Sequence, residues 1–337
     1  MVPRRRSDPV LAGGPAATVL PVYRLEVKRE LGEGDIAAVT QLLQAAKAAD
    51  HHDPLGEHKW LDLVQGGRKG FAGLVAWEPG DHHPIGYAQL SRGTDSWALE
   101  FVIDPHHRDQ MAVIGLDLVR QALALVADEG GGHLHLWVSK PRAEHDEIAA
   151  KVGLTRGREL YQMRVDLPLP ADVGGPADPL PTRPFRPGED DEAWLAVNNR
   201  AFSWHPEQGG WDAETLRRRQ EEPWFDPAGF LLHEEDGRLA GFCWTKIHPD
   251  TEPPLGEIYV IAVDPDYQGT GLGRRLVVAG LDWLAGRGLR VGMLYVDAGN
   301  SGAVALYKTL GFEIEHSDLA YVGDVAEASG DARHPNG

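Results

Sequence analysis

The dipeptide Asp104-Pro105 recurs 160 residues later as Asp264-Pro265, and the sequence around it recurs with it. An apolar run precedes each pair, Ala98–Ile103 and Ile258–Val263. A helical pattern follows each, Met111–Asp128 and Gly271–Arg287, then a second apolar run, His133–Val138 and Gly292–Val296. Each half then has a helix closing on Gly153-Leu154 or Gly311-Phe312. Upstream, Ile85-Gly86-Tyr87 parallels Ala240-Gly241-Phe242. A repeat of this length means that one supersecondary plan is built twice. Each copy reads as helices, antiparallel strands and a strand–helix–strand–helix–strand run, an α/β domain with a mixed sheet flanked by helices.

The span Asp166–Gly188, rich in Pro, Gly and Asp, has no apolar period and separates the copies. The expected organisation is an arm (1–22), a first domain (23–166), a linker (167–181), a second domain (182–325) and a tail (326–337). The arm and tail read as disordered. With 337 residues, two domains of ordinary size are expected.

The formal charge of −18 argues against nucleic acid and anionic lipid surfaces as partners, since both would repel the chain. No stretch reads as long and apolar enough to span a bilayer, and the basic start Met1–Arg6 runs into Ser7-Asp8-Pro9 instead of a signal-peptide core. The single cysteine, Cys243, excludes an intramolecular disulfide and suits a reducing cytoplasm. Its place in the apolar run Leu239–Trp244 makes it a core residue and not a nucleophile. The pairs His51-His52, His82-His83 and His106-His107 lie beside Pro and Asp without metal-ligand spacing, so solvated loop histidines and no metal are expected. The tryptophans read mostly as core residues.

The chemistry concentrates in the second copy. After the strand Glu257–Val263 and the turn Asp264–Tyr267, the run Gln268-Gly269-Thr270-Gly271-Leu272-Gly273-Arg274 opens a helix. Glycines expose backbone N–H groups at a helix N-terminus, where the free donors and the dipole favour an anion, and Arg274 and Arg275 add positive charge. Neither G-x-G-x-x-G nor a P-loop can be placed here. Further on, Asn300-Ser301-Gly302-Ala303-Val304-Ala305-Leu306-Tyr307 starts a helix that ends at Leu310-Gly311-Phe312.

The spacing Gln-x-x-Gly-x-Gly after a strand, with the N-x-x-A-x-x-L-Y run, resembles the GCN5-related N-acetyltransferases (GNAT). The resemblance implies two tandem domains of that fold and acetyl-CoA as co-substrate. It implies that Ile261, Ala262 and Val263, Gln268 to Arg274, and Asn300 to Ala305 hold the cofactor, with backbone N–H groups near Ile261–Val263 binding the oxyanion. It also implies Glu257 as general base through water and Tyr307 as proton donor to the leaving sulfur.

The first copy lacks these features. Arg108–Val113 stands opposite the glycine run, so Met111 and Val113 replace two glycines; Arg142 faces Asn300, Ala149 faces Tyr307 and Trp97 faces Glu257. It reads as a non-catalytic copy whose own strand end, Phe101–Ile103, and turn, Arg108–Val113, leave cofactor binding there open.

Gly56-Glu57-His58, His205–Gly209, Trp244–His248 and Gly256–Val260 further resemble those family members that acetylate the cysteinyl amine of cysteinyl-glucosaminyl-inositol. By that resemblance Glu57, Glu207, Lys246, Glu257 and Tyr295 line a small-molecule amine site. A monomer is expected. An aminoglycoside or a protein N-terminus as acceptor, or a non-catalytic acyl-CoA sensor, stays open; the sensor would need neither Glu257 nor Tyr307.

Overall fold

The computed structural model describes residues 23–50, 52, 54–56, 63, 70–80, 83–93, 96–173, 179–203 and 208–328. The expected arm (1–22), Glu57, Glu207, His51, His82 and the tail beyond Ala328 lie outside the described residues. The described residues fall into two compact units, one made of those up to 136 with 143–155 and 322–328, the other of 137–142 and those from 156 to 321.

The first unit contains β1 (Arg24–Lys28), α1 (Glu33–Asp50), β2 (Ala72–Trp77), β3 (Pro84–Arg92), β4 (Ser96–Ile103), α2 (Met111–Asp128), most of β5 (Gly132–Ser139) and α3 (Ala143–Lys151). β1 to β4 pair antiparallel in chain order. On α2, Ile114, Leu118, Val119, Ala122 and Val126 are buried at helical spacing. The turn and helix Pro105–Asp128 together are long and apolar enough to cross a membrane, which corrects the expectation that no stretch is. The buried stripe on α2 marks it as a core helix of this unit. The tail is also more ordered at its start than expected: the Ala328 N–H donates to Ala127 O at 2.9 Å.

The second unit contains β6 (Thr155–Asp166, from Arg156), β7 (Arg183–Pro184), α4 (Asp191–Ala201), α5 (Ala213–Gln220), β8 (Phe230–Glu235), β9 (Arg238–His248), β10 (Leu255–Val263), α6 (Leu272–Gly286), β11 (Val291–Asp297), α7 (Ser301–Thr309) and the greater part of β12 (Glu313–Val325). Its strand order is β12-β6-β11-β10-β9-β8-β7. β10 and β11 are parallel, joined through α6, while β6–β11 and β7 through β10 pair antiparallel. β6 precedes the linker yet lies against β11. The linker is also anchored: Leu167 and Leu180 are buried in the core of this unit.

One face of the sheet packs on α6 and α7. Leu272, Leu276, Leu281 and Leu284 recur at helical spacing and meet Cys243, Ile258 and Leu294. Gly280 permits the close approach, because a Cβ there would lie 2.5 Å from Cys243 Sγ. The other face holds Trp194, Trp211, Phe230, Phe242 and Trp244, with Phe230 and Trp244 stacked at 4.3 Å. These tryptophans are core residues, as their sequence context implies. Truncating a side chain such as Leu281 would cost about 2–5 kcal/mol.

The repeat is visible atom by atom at its two Asp-Pro turns. The Asp104 N–H donates to Ile85 O at 3.0 Å, and the Asp264 N–H donates to Ala240 O at 2.9 Å. Asp104 Oδ1 accepts from His106 N at 2.8 Å, and Asp264 Oδ1 accepts from Asp266 N at 3.0 Å. The turns then diverge. Pro105–Gln110 continues as a tight helical turn straight into α2, with Gln110 at φ −101°. The second turn stops at Tyr267 and passes through Gly269 (φ 78°) and Gly271 (φ 82°) before α6 begins. Met111 and Val113 in place of glycine fit a right-handed path that Gly271 leaves.

Candidate active site

The glycine turn is shaped by what its residues lack. Gly271, the N-cap of α6, offers no side chain to accept from the first helical N–H groups. A Cβ at Gly269 or Gly271 would meet nothing within 4 Å, so the space over the turn is open. Uncapped donors facing open space fit a phosphate-bearing group. Thr270 Oγ1 donates back to Tyr267 O at 2.8 Å and braces the turn, and Gln268 Nε2 reaches Val263 O at 3.5 Å. The Arg274 guanidinium instead donates to Thr309 Oγ1 (3.2 Å) and Val173 O (2.5 Å), tying α6 to α7 and to the linker. Its contribution at the turn is a backbone N–H.

Next to the turn the sheet opens. β10 and β11 pair only over Leu255–Ile258 and Val291–Leu294. Tyr259 is an extra residue in β10, since Ile258 faces Thr245 and Val260 faces Trp244. Such a bulge bends a strand and re-aims its side chains. The resulting pocket is lined by Tyr259, Val260, Ile261, Tyr295, Asn300, Ala303 and Tyr307, among others. Ala262 faces the tryptophan core and Val263 packs toward α6. Asn300 caps α7, its Oδ1 accepting from Ala303 N at 3.1 Å. Leu272 and Val304 are buried in the core, while Ser301, Gly302 and Ala305 are open or partly open at the start of α7. Tyr307 is 7% exposed, packs on Phe312 and lines the pocket; burial, with Cys243 adding, pushes its phenol up to about 12.

A polar strip crosses the sheet on the face away from α6. Paired residues in register share a face, and alternate residues along a strand return to it. Glu257 pairs with Lys246 and with Met293, and Tyr295, two residues beyond Met293, pairs with Gln162. Glu257, 6% exposed, accepts from His248 Nε2 at 2.7 Å. Lys246, 5% exposed, sits with Nζ 4.5 Å from the Trp224 ring centroid and 5.7 Å from that of Tyr259. Tyr295, 44% exposed, accepts from Gln162 Nε2 at 2.8 Å. Burial, then the carboxylates of Asp318 and Glu257, raise its phenol above the ordinary range. Thus three predicted residues, Lys246, Glu257 and Tyr295, share one surface. Reasoning on the sequence missed Gln162, Phe202 and Asp297, and gave no site role to His248, Gln208 and Tyr259 although they fall within the runs that carry the resemblance. Their places depend on strand register and on the bulge, which no local motif records.

Cys243 is fully buried and its thiol is pushed up to about 12 by desolvation, in keeping with a core residue. Among the described residues no group of three His, Cys, Asp or Glu side chains converges as metal ligands would. His83 and His107 are less free than loop histidines: each contacts the buried Asp104 at 3.3 Å.

A sheet splayed beside a bulge, with an uncapped glycine turn leading into the next helix, defines the GCN5-related class of acetyltransferases. Residues 194–312 match the acetyltransferase (GNAT) family. The chain resembles a GCN5-related N-acetyltransferase of Sphaerobacter thermophilus (TM-score 0.67, 20% identity, 90% of this chain and 97% of that one). It also resembles a tandem GNAT protein of the clavulanic acid biosynthesis pathway (TM-score 0.65, 19% identity, 91% and 100%). In sequence it is 43% identical to the mycothiol acetyltransferase of Acidimicrobium ferrooxidans over 87% of this chain and 96% of the relative. It is 44% identical to that of Thermobispora bispora over 88% and 99%. The chain belongs to the mycothiol acetyltransferase family within the GNAT acetyltransferases.

Proposed function

We propose that this protein transfers the acetyl group of acetyl-CoA to the cysteinyl amine of cysteinyl-glucosaminyl-inositol, giving mycothiol, in the cytoplasm. The observation that carries the reading is the opening between β10 and β11. It lies beside an uncapped helix N-terminus, carries Tyr307 in its wall and has Glu257 within the last paired steps of the two strands. The relatives supply the acceptor.

Acetyl-CoA would supply an activated thioester carbonyl. The backbone donors of Gly269–Arg274 would hold its phosphates, and Ile261–Val263 and Asn300–Ala305 its pantetheine end. Backbone N–H groups freed where β10 leaves β11 would stabilise the oxyanion. An α-amino group has a pKa of about 8, so Glu257 need accept only one proton, through water, to make the amine nucleophilic near neutrality. The amine nitrogen bonds to the carbonyl carbon, the carbon–sulfur bond breaks, and Tyr307 gives its proton to the sulfur; the second proton lost from nitrogen as the amide forms restores the Tyr307 phenol, and the first leaves Glu257 to solvent. Lys246, Glu257 and Tyr295 would line the acceptor site; the family resemblance adds Glu57 and Glu207, which lie outside the described residues, as further candidates. Carboxylates suit the ammonium and the many hydroxyls of such a substrate.

The test is thiol release from acetyl-CoA in the presence of different amines. Turnover with cysteinyl-glucosaminyl-inositol is expected. Turnover with aminoglycosides or peptide N-termini, but not with this amine, would overturn the assignment.

A further inference from the structure

Tyr295 belongs to a chain of contacts whose polarity can be read without ambiguity. Arg164 Nε lies 3.0 Å from Gln162 Oε1, and Gln162 Nε2 lies 2.8 Å from the Tyr295 hydroxyl. A guanidinium has donors only. The Gln162 carbonyl must therefore face Arg164, which leaves the amide NH2 facing Tyr295 and resolves the usual uncertainty over amide orientation. Arg164 is held from its far side by Glu315, 3.6 Å away. Gln162 is buried, so the amide has little freedom to turn.

A phenol carries one proton. With its oxygen accepting from Gln162, Tyr295 must send that proton elsewhere, and its hydroxyl-bearing side chain lines the pocket between β10 and β11. Burial and the nearby carboxylates keep the phenol protonated. We infer that Gln162 and Arg164 are positioning residues that set Tyr295 as a hydrogen-bond donor into the acceptor site, where it takes a carbonyl or hydroxyl oxygen of the amine-bearing substrate. This rests on the reading of Tyr295 as a substrate contact. It gives β6, which precedes the linker, a part in the chemistry of the second unit.

The experiment is a double-mutant cycle with steady-state kinetics. Gln162→Glu replaces the amide donor by an acceptor, so the phenol proton is drawn away from the pocket. It should lower kcat/KM for the acceptor amine by about tenfold or more, mostly through KM, the scale of one hydrogen bond to a charged or oriented partner. The KM for acetyl-CoA should stay within about twofold. In a Tyr295→Phe background Gln162→Glu should have no further effect. Arg164→Met, which frees the amide to turn, should give a smaller loss with the same dependence on Tyr295 and keeps the test open if Gln162→Glu fails to fold. A loss of equal size with and without Tyr295→Phe would show a merely structural role and overturn the inference. Wild-type kinetics in a folded Gln162→Glu, with Tyr295→Phe impaired, would overturn the inference alone. Wild-type kinetics in Tyr295→Phe would overturn the reading of Tyr295 as a substrate contact, and the inference with it.

Discussion

His248 Nε2 donates to Glu257 Oε2 at 2.7 Å across the β9–β10 hairpin. One carboxylate oxygen of Glu257 is thereby committed to His248. In the proposed mechanism the other would meet the incoming amine or its water. Glu257→Gln should lower kcat by about 10²–10⁴-fold, the range for loss of a general base. His248→Ala should lower it less and leave the KM for acetyl-CoA unchanged. Steady-state kinetics on both variants checks the order.

The left-handed backbone at Gly271 makes a second prediction. A side chain at φ 82° is strained by about 1–3 kcal/mol, so Gly271→Val should lower thermal stability as well as acetyl-CoA affinity. Gly273 has no positive φ, and a Cβ there would lie 3.7 Å from Val263 Cγ2, an ordinary contact. Gly273→Ala should therefore spare stability and weaken only cofactor binding. Val113→Ala in the first unit should change neither activity nor cofactor affinity. Calorimetric titration with coenzyme A and thermal melts separate these outcomes.

Burial, with Cys243 adding, pushes the Tyr307 phenol up to about 12, far above the working range. Its proton is thus present throughout, and the kcat profile should show no basic limb from this residue below about pH 10. Tyr307→Phe should lower kcat at every pH without altering the profile's shape. A new basic limb in the variant, or full activity, would argue against its role as proton donor.

Cys243 offers a probe of the core. Full burial and a thiol pushed up to about 12 leave almost no reactive thiolate near neutrality. An alkylating reagent should label the native protein only as fast as it unfolds, read as a mass increase that denaturant accelerates.

Asp190 sets part of the acid stability. It accepts from Arg183 at 2.7 and 2.8 Å and from the Arg186 N–H at 2.7 Å; the Arg183 contacts, then the Arg186 N–H, hold its pKa below the ordinary value against the opposing effect of burial. A depressed folded pKa contributes stability that is complete above the unfolded value, about 3.9, and is lost as pH falls through the folded one. Asp190→Asn should cost about 2 kcal/mol at pH 7 and flatten the stability profile below pH 4. Chemical denaturation across pH measures both.

The two long helices that follow the Asp-Pro turns were legible because their apolar spacing is dense. α2 begins and ends where its pattern predicts, and α6 differs from its pattern by one residue at each end. The glycine turn was legible because left-handed backbone needs glycine. β1, with three charged residues in RLEVK, and β7, only two residues long, carry no apolar pattern of their own. The strip joining His248, Glu257, Tyr295 and Gln162 arises from strand registers, within the β9–β10 hairpin for His248 and Glu257 and between strands far apart in the chain for Gln162 and Tyr295. The bulge at Tyr259 follows from how β9 and β10 accommodate one another. Local sequence contains neither.

The placement of β6 against β11 bears on how the protein is made. Gln162 and Tyr295 are 133 residues apart in the chain. At ribosomal rates of about 5–20 residues per second, β6 emerges roughly 7–27 s before its neighbour exists. During that interval it is an unpaired edge, with the aggregation risk such edges bring. A strand that waits for a partner synthesised later makes completion of the catalytic sheet a late event in the life of the nascent chain. The N-terminal half must remain soluble with a strand to spare.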